Sequence, residues 1–168
     1  MRDITINFHK EKKMKKLFIG FLVCSFLMTS AGIALSKEKR GSAAEAEALV
    51  KKAATLIKAK GKEKAFAEIN DPKGPFVDRD LYIAVYDLNG VVLAHGFNHK
   101  MIGKNLIDLK DPDGRAMVKE RIDLAKTQNS FWQRDYKFVD PLTKTIKHKD
   151  MYVEKLGDIL LTCGIFRD

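Results

Sequence analysis

The C-terminal end of the chain constrains its fold most. Three strand-length runs, 131–138, 145–153 and 158–166, are separated only by a turn at Asp140-Pro141 and by Gly157. Connections this short cannot carry a parallel crossover, so the runs form an antiparallel meander. A further pair lies upstream. Leu81–Asp87, then Leu88-Asn89-Gly90, then 91–95 reads as a hairpin, because Asn-Gly supplies the positive φ angles of a tight primed turn. Ahead of it, Leu49, Ala53, Leu56 and Ile57 recur at helical spacing within 42–60. Glu45 and Glu47 come early, four lysines follow, and Gly61 caps the end. A short second helix over 63–69 is stopped by Asn70-Asp71-Pro72. A long loop, 96–111, leads to the turn Asp111-Pro112-Asp113-Gly114. From there a helix of about 115–127 offers Met117, Val118, Ile122, Leu124 and Ala125 to a core. The fold class is α+β: about five antiparallel strands, a long N-terminal helix, and helices and loops covering one face.

The 168 residues fit one domain, and 45% hydrophobic with 32% charged residues is a globular composition. The net charge of +9 raises nucleic acid as a partner, but residues 1–36 hold six basic residues and two acids. The remainder keeps 25 basic against 20 acidic residues without a long basic run, so no nucleic-acid partner is expected. Lys12, Lys13, Lys15 and Lys16 precede an uncharged stretch, 17–35, that passes from apolar to small residues. This is the order of a secretory signal peptide, with cleavage after Ala34 or Ser36 and Met14 as an alternative start. A retained membrane anchor is the competing reading, since 19 uncharged residues can just span a bilayer. The expected organisation is a leader over 1–36 and one domain over 37–168, periplasmic or secreted. Cys24 would leave with the leader, and Cys163 reads as a small buried hydrophobe.

Six segments, in order, carry a family resemblance: EKAFAEIN (63–70), FVDRDLYIAVYDLNGVVLAHG (76–96), MIGKN (101–105), DPDGR (111–115), YKFVDP (136–141) and KHKDMYVEK (147–155). Together they resemble single Cache domains over roughly 44–166. The resemblance implies a PAS-like, extracytoplasmic ligand-sensing module, in a branch that binds acetate, propionate, lactate or pyruvate. It also implies a pocket between the sheet and its covering loops and helices. A receptor would continue through a second membrane segment, whereas this sequence stops at Asp168. The expectation is therefore a stand-alone module serving a separate membrane sensor, with the N-terminal helix as a homodimer surface.

A small carboxylate needs one fixed positive charge, several neutral donors and apolar walls. Lys149 and Tyr152 offer an ammonium and a phenol at i and i+3, which strict alternation would put on opposite faces unless a bulge intervenes. The likeness, in which a Lys-x-x-Tyr recurs, favours Lys149; a solvated lysine is the alternative. A one-residue change of register would exchange Lys149 for His148 or Asp150. Tyr136 matches the family tyrosine before its proline turn and is a ligand donor or a core aromatic. His95, in Ala-His-Gly at a strand end, could donate to an anion and make binding titrate near pH 6.5. Tyr82 and Tyr86 share one face of their strand. Trp132, Arg134 and Tyr136 share a face by alternation, which makes Arg134 the reserve cation over an aromatic wall. Gly103-Lys104-Asn105 reads as a loop cap, since the phosphate-loop pattern is incomplete.

No cofactor is expected: Cys-x-x-Cys-His is lacking, and the intervening turn argues against His95 and His99 as a zinc pair. Asp111 and Asp113 are turn formers. A hydrolase built on His95 lacks a nucleophile motif, so the chain is not expected to be an enzyme. The expected function is capture of a small organic anion for signalling, with micromolar to millimolar affinity. The alternative is an anchored structural or partner-binding protein with a vestigial pocket.

Overall fold

A computed structural model describes residues 40–167; the leader expected over 1–36 lies outside the described residues. Helix α1 (Ala43–Lys60) starts at Ser42, whose side chain accepts from the Glu45 amide while Glu45 reaches back to the Ser42 amide. This capping box and the acid-to-base order of the helix account for its sharp start. Gly61 follows at φ 80° and leads into α2 (Lys62–Asn70). The strands are β1 (Val77–Asp78), β2 (Leu81–Asp87), β3 (Val92–His95), β4 (Ser130–Val139), β5 (Ile146–Leu156) and β6 (Ile159–Arg167). Between β3 and β4 lie a single 3-10 turn (His99–Met101) and α3 (Met117–Leu124), which is shorter than the helix expected over 115–127.

All strand pairs are antiparallel, in the order β1-β2-β6-β5-β4, with β3 also on β2. The C-terminal meander is present with its expected short turns. β1, a two-residue pairing of Val77 with Tyr82 and Asp78 with Leu81, adds a sixth strand. The hairpin turn differs from the expected primed type. Only Gly90 has a positive φ, of 89°, and its amide bonds the Asp87 carbonyl. Asp87 Oδ1 accepts from the amides of Asn89 and Val91, so the carboxylate organises a longer loop, and β3 itself bulges at Leu93, between the pairs Tyr86–Val92 and Val85–Ala94.

The sheet is covered on both faces rather than one. Leu81, Ile83 and Val85 of β2 and Ile159, Leu161 and Cys163 of β6 pack with α1 and α2. Ala84, Tyr86, Leu160, Met151 and Val153 face the other way, onto α3 and the loop before it. Continuous burial along β2 and β6 follows from their place inside the sheet. The loop is ordered by pairing along β3: the Val92 amide bonds the Lys104 carbonyl, and Gly103 and Leu106 donate to Val92 and Gly90.

One buried ionic clamp ties the start of α1 to two turns. Arg40 donates to Asp140 Oδ2 at 2.6 Å and to Asp80 Oδ2 at 3.4 Å, and the Gly41 amide donates to Asp80 Oδ1 at 2.7 Å. Both carboxylates are fully buried. Burial pushes the Asp140 carboxyl up, but donors from Arg40, Leu142 and Thr143 outweigh it and hold it at about 2. Replacing Asp140 by Ala removes the shorter carboxylate contact of Arg40 and the acceptor of two turn donors. Urea unfolding is expected to show a loss of about 3 kcal/mol; a change below about 0.5 kcal/mol, the size of a neutral surface change, would contradict the clamp.

Candidate ligand-binding site

A cavity lies on the face of the sheet opposite α1, closed by α3 and the loop after β3. Tyr82, Ala84 and Tyr86 of β2 form its floor with Tyr136 of β4 and Lys149 and Met151 of β5. Met101, Leu106 and Leu109 from the loop and Met117, Val118 and Arg121 from α3 roof it. Gly103-Lys104-Asn105 itself straps the loop to the edge of β3, and the flanking apolar residues do the covering. About 30 Å³ is reachable by the centre of a water molecule, which is room for two or three small atoms.

A bulge in β4 decides which residues enter. Gln133 pairs with Met151 and Tyr136 with Lys149, so Arg134 and Asp135 together oppose Asp150. Asp135 takes φ 60°, its amide bonds Asp150 Oδ1, and Arg115 Nη1 donates to the carbonyls of Arg134 and Asp135. The Asp111-to-Arg115 turn therefore has a second role. Asp111 Oδ1 accepts the Asp113 and Arg115 amides, while its Oδ2 accepts the Lys137 amide just past the bulge.

The extra residue turns Tyr136 into the cavity and leaves Trp132 and Arg134 on the opposite face. Trp132 packs with Tyr152 at 5.4 Å between ring centroids and donates to Glu47 of α1. Arg134 stacks over Trp132, pairs with Asp150 at 2.9 Å and is 57% exposed. Tyr152 lies in the core beneath α1, since β5 runs against β6 with no register break and alternation holds. These three candidates are thus off the cavity, while Lys149, Tyr136, Tyr82 and His95 line it.

Lys149 is 1% exposed. Its Nζ donates to Tyr82 Oη at 2.9 Å and lies over the rings of Tyr82, Phe138 and Phe166, at 4.3 to 5.4 Å from their centroids. The stem crosses Gly164 of β6, where a Cβ would collide with Lys149 Cε. Burial pushes the lysine's pKa down. Because an ammonium only donates, Tyr82 accepts and keeps its own hydroxyl proton for a third group. Burial raises the pKa of the Tyr82 phenol, and pushes Tyr136 up to about 12, so both stay protonated.

Arg121, absent from the candidates drawn from sequence, is the second cation. It is 2% exposed, and Nε donates to Gln133 Oε1 at 3.1 Å. Its guanidinium lies near the rings of Tyr86 and Tyr136, at 5.4 and 6.0 Å. Among the described residues no carboxylate comes within ion-pair distance of Lys149 or Arg121, and the Tyr136 and Tyr86 hydroxyls have no protein partner. The signal was readable: Arg121 falls on the apolar stripe of Met117, Val118 and Ile122.

His95 stacks on Tyr82 at 5.0 Å. Its Nδ1 accepts from the amides of Phe97 and Asn98, so the ring proton sits on Nε2 and the imidazole is neutral. Burial, then the Lys149 charge, pulls its pKa down to about 4. The expected titration near pH 6.5 therefore does not occur at this residue. His99 Nε2 contacts the Asn70 carbonyl instead of sharing a site with His95.

An antiparallel sheet in this order, with a small cationic chamber under loop and helix, defines a ligand-sensing domain of the PAS-like kind. The chain belongs to the Single Cache domain 2 family, whose model matches residues 34–164. Over 78 residues it is 36% identical to the sensor histidine kinase MctS of Rhizobium johnstonii, a match covering 46% of this chain and 16% of that kinase. The chain thus spans a small part of that relative. A methyl-accepting chemotaxis protein structure from Vibrio parahaemolyticus shares 26% identity at a TM-score of 0.63, over 74% of this chain and 88% of that one. The fold is also that of a Cache chemosensory domain solved for carboxylic acid recognition, at 20% identity and TM-score 0.59, over 96% and 99% of the two chains. Residues 34–164 thus form a Cache sensor domain, a ligand-sensing module of the family found in chemoreceptors and sensor kinases.

His95 yields a stability prediction. A folded pKa of about 4 against about 6.5 unfolded means the native state binds fewer protons between these values. Stability then rises with pH through this window and is lost as pH falls below 6.5, by about 3 kcal/mol at pH 4. His95→Asn, which keeps an acceptor for the two amides, should show a flatter profile in urea unfolding at pH 7, 5.5 and 4. Superimposable profiles would show that His95 is not the titrating group.

Proposed function

We propose that this domain captures a small organic anion, a carboxylate, and does not transform it. The observation that carries the reading is the pair of buried cations, Lys149 and Arg121, facing one cavity with no protein carboxylate within ion-pair distance among the described residues. Burying an ion costs several kcal/mol unless it is compensated. A ligand carboxylate would supply the missing charge, with the Tyr82 and Tyr136 hydroxyls and the His95 Nε2–H as neutral donors. Binding without turnover is supported by the cavity lining, which among the described residues includes no serine, threonine, cysteine or carboxylate. Cys163 lies on the α1 face with its thiol pushed up to about 12 by burial. The likeness to a sensor histidine kinase and a methyl-accepting chemotaxis protein supports a site whose occupancy is read by a signalling partner, and the fold shared with a periplasmic sensor domain of a chemotaxis protein supports an extracytoplasmic one.

Thermal melting against small mono- and dicarboxylates tests the reading, because a ligand of the native state stabilises by about 2.7 kcal/mol at a hundredfold excess over Kd. A carboxylate-specific rise is expected, and a flat panel would overturn the assignment. Lys149→Met should abolish the rise. Without ligand, Lys149→Met is expected to melt at or above the wild-type temperature, since an apolar side chain there removes an uncompensated charge. A variant that still responds fully to carboxylate would remove Lys149 from the site.

A further inference from the structure

The cationic cavity opens beside a second, larger one, and the two share Tyr82, His95, Met101 and Phe138. The space reachable by a water centre is about 230 Å³ in the second, against about 30 Å³ in the first. The inner chamber fits a carboxylate with little else, so a longer ligand needs further space, and the second cavity supplies it across the shared side chains.

The outer chamber is built for an apolar occupant. Phe97, Val139 and Pro141 make most of its wall with the shared Met101 and Phe138; Asn98 adds one polar side chain, and Lys144, its one charged residue, is held over the Phe97 ring at 5.3 Å. Beyond it lies an apolar rim. Among the described residues six large hydrophobics are exposed: Leu88, Phe97, Ile102, Val139, Leu142 and Ile146. All but Leu88 lie on the two segments that frame the chamber, 96–103 and 139–146. Of these, Phe97 and Val139 line the chamber itself, and exposed apolar side chains at a cavity wall mark a binding surface. The four lining residues it shares with the cationic chamber select the occupant.

Resting on the carboxylate reading above, we infer that the ligand is an amphipathic monocarboxylate. Its head sits between Lys149 and Arg121, and an alkyl or aryl tail of about four carbons or more fills the outer chamber. Acetate would leave the apolar walls wet. A straight tail gains about 0.8 kcal/mol for each buried CH₂, which is about fourfold in affinity per methylene.

Calorimetry with acetate, butyrate, hexanoate and octanoate on the full chain tests this. Affinity should climb about fourfold per methylene from acetate to hexanoate, and hexan-1-ol, which has the tail without the charge, should bind far more weakly than hexanoate. Val139→Ser, at a half-exposed strand end, should lower hexanoate affinity at least threefold while leaving acetate unchanged. Acetate binding with no gain from longer tails overturns the inference and leaves the carboxylate site standing. Failure of every acid overturns both. Unchanged hexanoate affinity in Val139→Ser also overturns it.

Discussion

The organisation of this domain follows from one desolvated ammonium group. Lys149 is anchored on β5, yet its Nζ reaches Tyr82 on β2, two strands away, because the intervening β6 carries Gly164 where the stem crosses. Three aromatic faces and one phenol replace the water it loses. They soften the cost of burial without cancelling the charge. A core of this size could be filled more stably by a hydrophobe, and the charge is the feature on which the proposed function rests.

The cavity around that charge is held open from both sides. On the sheet, the β4 bulge re-aims Tyr136, and Arg115 and Asp150 hold the bulge by taking up its carbonyls and the Asp135 amide. On the cover, Arg121 reaches down from α3 and is steadied by Gln133, whose amide also donates to the Met117 carbonyl. Helix, bulge and strand are thus linked through polar contacts that surround the chamber. The Arg40 clamp performs the corresponding task at the turn beside the outer chamber, where Asp140 precedes Pro141 and joins it to the start of α1.

Much of this was legible in the residues. The short turns required an antiparallel meander, the apolar spacing of α1 with Gly61 after it marked the helix, and the shared face of Tyr82 and Tyr86 is the cavity floor. Alternation also separated Lys149 from Tyr152, as the unbroken β5 register shows. Less legible were the features that depend on two strands at once. Alternation alone grouped Tyr136 with Trp132 and Arg134. The bulge sends it to the other face, and a bulge is a property of the pairing with β5, not of β4 by itself. His95 read as a titrating group because its partners, the amides of Phe97 and Asn98, are set by the path of the chain after β3.

The sequence by itself determined the strand count to within one, the antiparallel pairing, the amphipathic helices and the residue types available for an anion, because these rest on local periodicity and turn chemistry. Only the tertiary structure decided which cations meet. Arg134 is drawn to Asp150 at the surface, while Arg121 and Lys149 are enclosed from opposite sides of one chamber. Desolvation and the distance between elements far apart in the chain settle that choice, and neither is a property of any short stretch of residues.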